Sequence, residues 1–310
     1  ERGDYDAVVF LLDTPGGLSS SMERNVQRIQ SAKLPVIVYV APSGAKAASA
    51  GTFITMSAHV AAMAPGTSIG AAHPISSSGE DIPGTLGKKV ENNAAAYARS
   101  IAEQHGRNAD WAERAVRDSV SAPTSEAVEK HIVDFAADDV DALLRQSDGR
   151  TVAVGGNAVT LSGLTSAPRI SNGMTLLERL LLVLSAPTIA FLLLSHGGLG
   201  LAIELIHPGV FLPGVFGSIS LILAFFVLGT LPVNYAGVAL VLLAFVLFTA
   251  EFYAGGVGVL GIGGAISLVA GGLLLTSTSN PDFQVSRWLV IPTGVIIGAF
   301  FGMFVAAVIR

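Results

Sequence analysis

After residue 175 the chain almost stops using charge. Of its eighteen Lys and Arg only Arg179, Arg287 and Arg310 lie beyond that point, and of its twenty-three Asp and Glu only Glu178, Glu204, Glu251 and Asp282 do. What remains is a series of apolar runs broken by Gly and Pro. Backbone in lipid has to satisfy its own hydrogen bonds, so runs of about 20 apolar residues read as spanning helices. The sequence therefore predicts a soluble domain over 1–165, a linker over 166–178 and an all-α membrane domain over 179–310 with four to five spans. The spans fall near 187–206, 210–231, 233–252, 255–276 and 288–309. His196-Gly197-Gly198 interrupts the first run, which marks it as re-entrant or interfacial. Arg287 and Arg310 lie in consecutive flanks, so charge says little about orientation.

The first half carries a small net negative charge and no basic patch, which argues against nucleic acid as a partner. The absence of Cys excludes disulfides and thiolate metal sites. His59, His105 and His131 occur singly, without the spacing of a metal site, and no cofactor is expected. The chain opens on Glu1 rather than Met and stops on Arg310 after an apolar run, so it reads as a fragment or a processed chain.

Short β-branched apolar runs at 6–13, 34–40 and 60–64 predict buried strands. Between the first two, Leu18, Met22, Val26 and Ile29 recur at helical spacing. The stretch 42–49 reads as a turn and 48–58 as a buried helix. Helices follow from about Lys88 to His131, then a strand over 131–138, a short helix, and a hairpin over 150–162 around Gly155-Gly156-Asn157. Strand, helix, strand in alternation is the pattern of an α/β domain with a parallel sheet.

Two motifs carry possible chemistry. "KAASAGT" places one hydroxyl, Ser49, among small residues that let the chain turn sharply. Ser49 is either a nucleophile exposed at the turn or an ordinary helix N-cap. "DTPGG" exposes the backbone N–H groups of Gly16 and Gly17 after a strand, where parallel sheets bind ligands; a plain strand-to-helix turn would also use them.

"LLDTPGG", "AASAGT" and "APGTSIGA" together resemble the catalytic core of the ClpP-class serine peptidases. Within that class the chain is most similar to the membrane-bound NfeD family; signal peptide peptidase A and ClpP are more distant. The resemblance runs from Asp6 to about Leu144, and a multi-span membrane half fits NfeD. It implies a ClpP/crotonase-like fold and a serine endopeptidase with a Ser–Lys dyad. Ser49 is then the nucleophile, Lys89 the base, and the N–H groups of Gly17 and Ala50 the oxyanion hole. It also implies apolar substrates from membrane-associated proteins, a stomatin/prohibitin-type partner, at least a dimer, and a catalytic domain outside the cytoplasm. The rival readings are a catalytically inactive scaffold working with that partner, and a crotonase-like enzyme of acyl thioesters.

Three residues compete with Lys89. Lys88 is its neighbour and points about 100° away on a helix; Lys46 precedes Ser49 by three residues; His73, in "SIGAAHPI", is an alternative base of the type that titrates near neutrality. A lysine serves as a base only where burial or a nearby cation favours its neutral form. Residues 74–86 form a polar loop with Gly79 and Gly84, expected to be mobile and to cover the cleft. In the last span Gly294, Gly298, Gly302 and Ala306 share a face, expected to pack on Gly263, Ser267 and Gly271, with Ile297, Phe300, Phe301 and Phe304 largely off it and the phenylalanines meeting lipid or the bundle edge. Glu251 is placed at the membrane interface without a visible partner.

Overall fold

The computed structural model describes residues 5–76, 79–229, 231, 233–255, 258–276 and 284–309, without the side chains of 304–309. It divides into two compact units, Glu1–Pro74 with Asp81–Ser171, and Ile75–Glu80 with Asn172–Arg310.

The first unit is built on a parallel sheet in the order β1 (Val8–Leu12), β2 (Val36–Val40), β4 (Val60–Met63), β7 (Phe135–Ala136). Strand β2 shows why its run reads as continuously apolar. Val36, Val38 and Val40 enter one core cluster, with Met22 and Val26 of α1 (Ser19–Gln30); Ile37 and Tyr39 enter another, with Phe135 and Leu143. Both faces are covered, so alternate residues are equally apolar. Each such side chain, fully buried, contributes roughly 1.5–3 kcal/mol.

A second sheet was not legible in the sequence. β3 (Lys46–Ala48) pairs in parallel with β5 (Ser68–Gly70), which pairs antiparallel with β6 (Ser121–Pro123). The expected turn over 42–49 therefore ends in a strand. Helix α2 (Ala50–Met56) is wholly buried. Helix α3 (Gly84–Gln104) packs on it and α4 (Ala109–Arg117) on α3, bringing Ala95, Ala98, Ile101, Trp111 and Ala115 into the same core cluster. Helices α5 (Thr124–Glu129) and α6 (Val140–Ser147) and the hairpin β8 (Thr151–Val154) with β9 (Asn157–Thr160) complete the unit. The hairpin turns at Gly155-Gly156, as expected.

In the second unit, α7 (Leu176–Leu184) occupies what read as linker and membrane entry, held by a capping box between Thr175 and Glu178. α8 (Pro187–Ile206) and α10 (Tyr235–Ala254) are long and apolar enough to cross a bilayer; α9 (Leu212–Leu228), α11 (Val259–Leu274) and the Arg287–Met303 part of α12 (Arg287–Ile309) are apolar but shorter. α8 runs unbroken through His196-Gly197-Gly198, because those glycines are where neighbours approach. A side chain at Gly198 would meet the Phe245 ring at 2.2 Å, and one at Gly197 would meet Leu221 at 2.6 Å.

The α8–α9 and α10–α11 hairpins are a tandem repeat. Glu204, Gly214, Gly217, Ile219, Ser220 and Leu221 recur 47 residues on as Glu251, Gly261, Gly264, Ile266, Ser267 and Leu268. Their contacts recur too. Gly217 lies against the Gly197 carbonyl and Leu201, and Gly264 against the Ala244 carbonyl and Phe248, each pair again 47 apart. Both glutamates turn back on the entry to the following helix. Glu204 Oε1 accepts from the Gly209 N–H at 3.2 Å. Glu251, buried, accepts from Gly258 and Leu260 at 2.7 Å and from Gly261 at 3.1 Å. Glu251 thus has partners that the sequence did not reveal: the free N–H groups at the start of α11.

The expectation for α12 needs correction. Gly298 and Gly294 do face α11, but against Ala265 and Val269. The Gly263, Ser267 and Gly271 face turns to α10, where Ser267 donates to the Leu240 carbonyl at 2.9 Å. A side chain at Gly302 would meet nothing within 4 Å. Ile297 and Phe301 are buried, and Phe301 stacks on Phe248 with ring centroids 4.6 Å apart. Only Phe300 of that group is exposed; the Phe304 and Ala306 side chains lie outside the described residues.

Candidate active site

The site forms where the chain leaves β1. Its pairing passes from β2 to β3: the Thr14 N–H donates to the Lys46 carbonyl at 2.7 Å, and the Ala48 N–H to the Thr14 carbonyl at 3.1 Å. Asp13 Oδ1 accepts from the Lys46 N–H, and the Thr14 hydroxyl bonds across the Pro15 turn to Gly16. This lays "DTPGG" alongside "KAAS". Gly16 adopts φ +144°, and a Cβ there would stand 3.0 Å from the Ser49 Cβ and 3.4 Å from its Oγ. Glycine is required on both counts. If Ser49 is a nucleophile, Gly16→Ala is expected to slow its acylation by about 100-fold through misplacement of the hydroxyl. Reaction with a fluorophosphonate at the wild-type rate would contradict it.

Ser49 sits between β3 and α2 at φ 52°, ψ −114°. An ordinary N-cap residue is extended and its side chain accepts a helix N–H. Ser49 does neither: its side chain makes no capping bond. The hydroxyl is held on a sharp strand-to-helix turn, as nucleophilic serines are in hydrolases. The N–H groups of Gly17 and Ala50 have no acceptor among the described residues, and Gly17 lies beside the Ala50 methyl.

The two candidate bases stand differently. His73 is half-buried, its Nδ1 2.9 Å from the Val116 carbonyl and its Nε2 3.7 Å from the Asp81 carboxylate. Lys89 is exposed on the first turns of α3, with no hydrogen bond or ion pair among the described residues, and so is Lys88. The packed stripe of α3 begins at Ala95, so its first turns stand clear of the core. Lys46 is exposed on β3. Neither Lys89 nor His73 hydrogen-bonds Ser49. Of the loop over 74–86, residues 77–78 lie outside the described residues, and its end, from Gly84, is already the first turn of α3.

Sequence reasoning missed Arg107. Its buried guanidinium donates to the Met56 and Ala58 carbonyls at 2.6 and 2.8 Å, at the far end of α2, and pairs with Asp134 at 2.9 Å. His59 and His105 lie beside it. Burial, then the Arg107 charge, lowers the pKa of both, His105 to about 4. Their folded pKa values lie below the ordinary histidine value, so the unfolded chain binds more protons on acidification. Stability is present above pH ~6.5 and is lost as pH falls from there towards about 4. Melting temperatures at pH 7.5 and 5 should fall accordingly, and less so in His105→Gln; a flat profile would contradict this. A cavity of about 730 Å³ lined by His59, His105, Asp134 and Arg150 opens at this end of the sheet. It is at the amino ends of β2 and β4, opposite Ser49, and is not the candidate site.

Comparison with known proteins bears on this geometry. Residues 1–155 match the NfeD1b N-terminal domain family, and residues 188–307 the NfeD integral membrane domain family. The whole chain is 37% identical to the membrane-bound protease PH1510 of Pyrococcus horikoshii, over 72% of that protein. The chain belongs to the NfeD family of membrane-bound serine proteases. A second NfeD relative, membrane protein NfeD1b of Bacillus subtilis, is 29% identical over 95% of this chain and 65% of its own length. Two solved structures are similar to the first unit: lysine-to-alanine and serine-to-alanine mutants of the 1510-N membrane-bound stomatin-specific protease. The first, in complex with a substrate peptide, is 38% identical, with a TM-score of 0.53 over 57% of this chain and 81% of that one. The second is 39% identical, with a TM-score of 0.51 over 55% and 83%. The α/β unit is therefore ClpP-like, as NfeD membership implies.

Proposed function

We propose that Ser49 is the nucleophile of this NfeD protease and Lys89 its general base. The strained elbow at Ser49, free of any capping duty and pressed against Gly16, carries the reading. Neutral Lys89 takes the Ser49 proton, Ser49 Oγ attacks the peptide carbonyl, and the N–H groups of Gly17 and Ala50 hold the oxyanion. Lys89 then protonates the leaving amine, and water, deprotonated by the same amine, releases the acyl group. Lys89 is exposed here, so substrate docking has to draw it to Ser49 and exclude water. That the similar 1510-N protease is studied both as a lysine mutant with a substrate peptide and as a serine mutant supports a dyad of these residue types.

Substrates on this reading are apolar segments of membrane-associated proteins, with a stomatin-type protein as partner and substrate, in keeping with the stomatin specificity named for the similar structures. The catalytic domain faces away from the cytoplasm and works as at least a dimer. An inactive scaffold is the rival, and exposed Lys89 is what favours it. A fluorophosphonate separates them: the full chain in detergent should be labelled at Ser49, and Ser49→Ala should not. An unlabelled wild-type chain would favour the scaffold.

A further inference from the structure

A serine at φ 52°, ψ −114° costs on the order of 1–3 kcal/mol and persists only where its surroundings over-determine it. Two groups do so here. The Ser49 N–H donates to the Gly70 carbonyl at 2.9 Å. The other is Thr52, on the first turn of α2 and 2% exposed. Its Oγ1 stands 3.0 Å from the Ala47 carbonyl, 3.0 Å from the Gly70 carbonyl and 3.1 Å from the Gly70 N–H. A helical threonine ordinarily bonds back to the carbonyl four residues earlier in its own helix. Thr52 reaches instead past the elbow, to β3 on its entry side and to the end of β5. With one proton and two lone pairs, the hydroxyl accepts from the Gly70 N–H and donates to the Ala47 or the Gly70 carbonyl. One buried group thereby ties the strand entering the elbow, the helix leaving it and the strand that holds the Ser49 amide.

We propose that Thr52 is a positioning residue: its hydroxyl fixes the elbow so that Ser49 Oγ stays exposed and the Ala50 N–H stays aimed at the same point. This rests on Ser49 being the nucleophile. Without the Thr52 hydroxyl the Gly70 N–H loses its acceptor and the Ala47 or Gly70 carbonyl a donor, leaving the Ser49 amide as the remaining tie to Gly70, and the elbow relaxes towards an ordinary extended N-cap. Ground-state binding of the peptide does not use this bond, so the loss falls on the chemical step.

The test uses the full chain in detergent micelles, a fluorogenic apolar peptide and a fluorophosphonate. Thr52→Val keeps the shape and removes the hydroxyl. Its kcat is expected to fall about ten-fold or more, with KM within about two-fold and labelling slowed in proportion. Thr52→Ser, which restores the hydroxyl, should recover most of both. Should Thr52→Val not fold, Thr52→Cys gives the same comparison, because a thiol is a weak donor of similar size. Wild-type kcat and labelling in the hydroxyl-free variant would overturn the proposal, as would a change in KM alone. Ser49→Ala runs alongside. If it still cleaves and labels, the nucleophile assignment fails; if it is dead while Thr52→Val is normal, only the role of Thr52 fails.

Discussion

Lys89→Ala is expected to cut peptide hydrolysis by roughly three to four orders of magnitude at neutral pH, with the catalytic domain still folded. The fold should survive because Lys89 is exposed and bonds to nothing among the described residues. The activity should not, because a serine hydroxyl is a weak nucleophile until a base removes its proton. His73→Ala should keep most of the activity. That ring is tied to the Val116 carbonyl and lies near Asp81, so its loss loosens the end of α4 rather than the chemistry. Lys88→Ala is the necessary companion, since Lys88 is exposed one helical step away. Peptide hydrolysis, fluorophosphonate labelling and a melting curve on each variant decide the matter. A dead, folded His73→Ala beside a nearly normal Lys89→Ala would show that the base is His73.

The second large effect belongs to the membrane unit. Glu251→Ala should destabilise or disassemble the helical bundle, at a cost of roughly 3 kcal/mol or more. Its carboxylate accepts three N–H groups from the start of α11, and α11 packs closely on α10 through Gly264, Ser267 and Gly271. Glu251 is buried, so no water stands ready to replace the lost acceptor. Glu251→Gln keeps one carbonyl oxygen, but its amide turns a donor towards donors, so an intermediate loss is expected. Glu204→Ala, at the equivalent point of the first hairpin, removes an acceptor of a single N–H at 3.2 Å and should cost less. Detergent-resistance and thermal-melting assays on the three variants order these effects. A Glu251→Ala chain as stable as the wild type would show that the cap contributes nothing.

Much of this protein is legible in its residue order. The partition into a charged half and an apolar half follows from where eighteen basic and twenty-three acidic residues fall, because the bilayer selects against charge. β2 and β4 are legible because buried parallel strands are apolar on both faces, and the β8–β9 hairpin because its turn needs Gly155-Gly156; β1 reads as the same kind of run, yet it is the edge strand and buries only Leu12. Ser49 and the Gly-rich turns stand out because close approach demands small residues. The 47-residue repeat was also present in the sequence, but in apolar helices such matches hide among many similar residues. The rest needed the tertiary structure. Three-residue strands such as β3, β5 and β6 are too short to show a period, so the second sheet that turns the chain at Ser49 leaves no signal. Whether Ser49 caps its helix or escapes it depends on a backbone angle that Gly70 and Thr52 impose from elsewhere. Arg107 reaches α2 from 51 residues away, and Glu251 reaches the start of the next helix across a turn. In α11 both faces are rich in small residues, so only packing settles that Ser267 meets α10 while Ala265 meets α12.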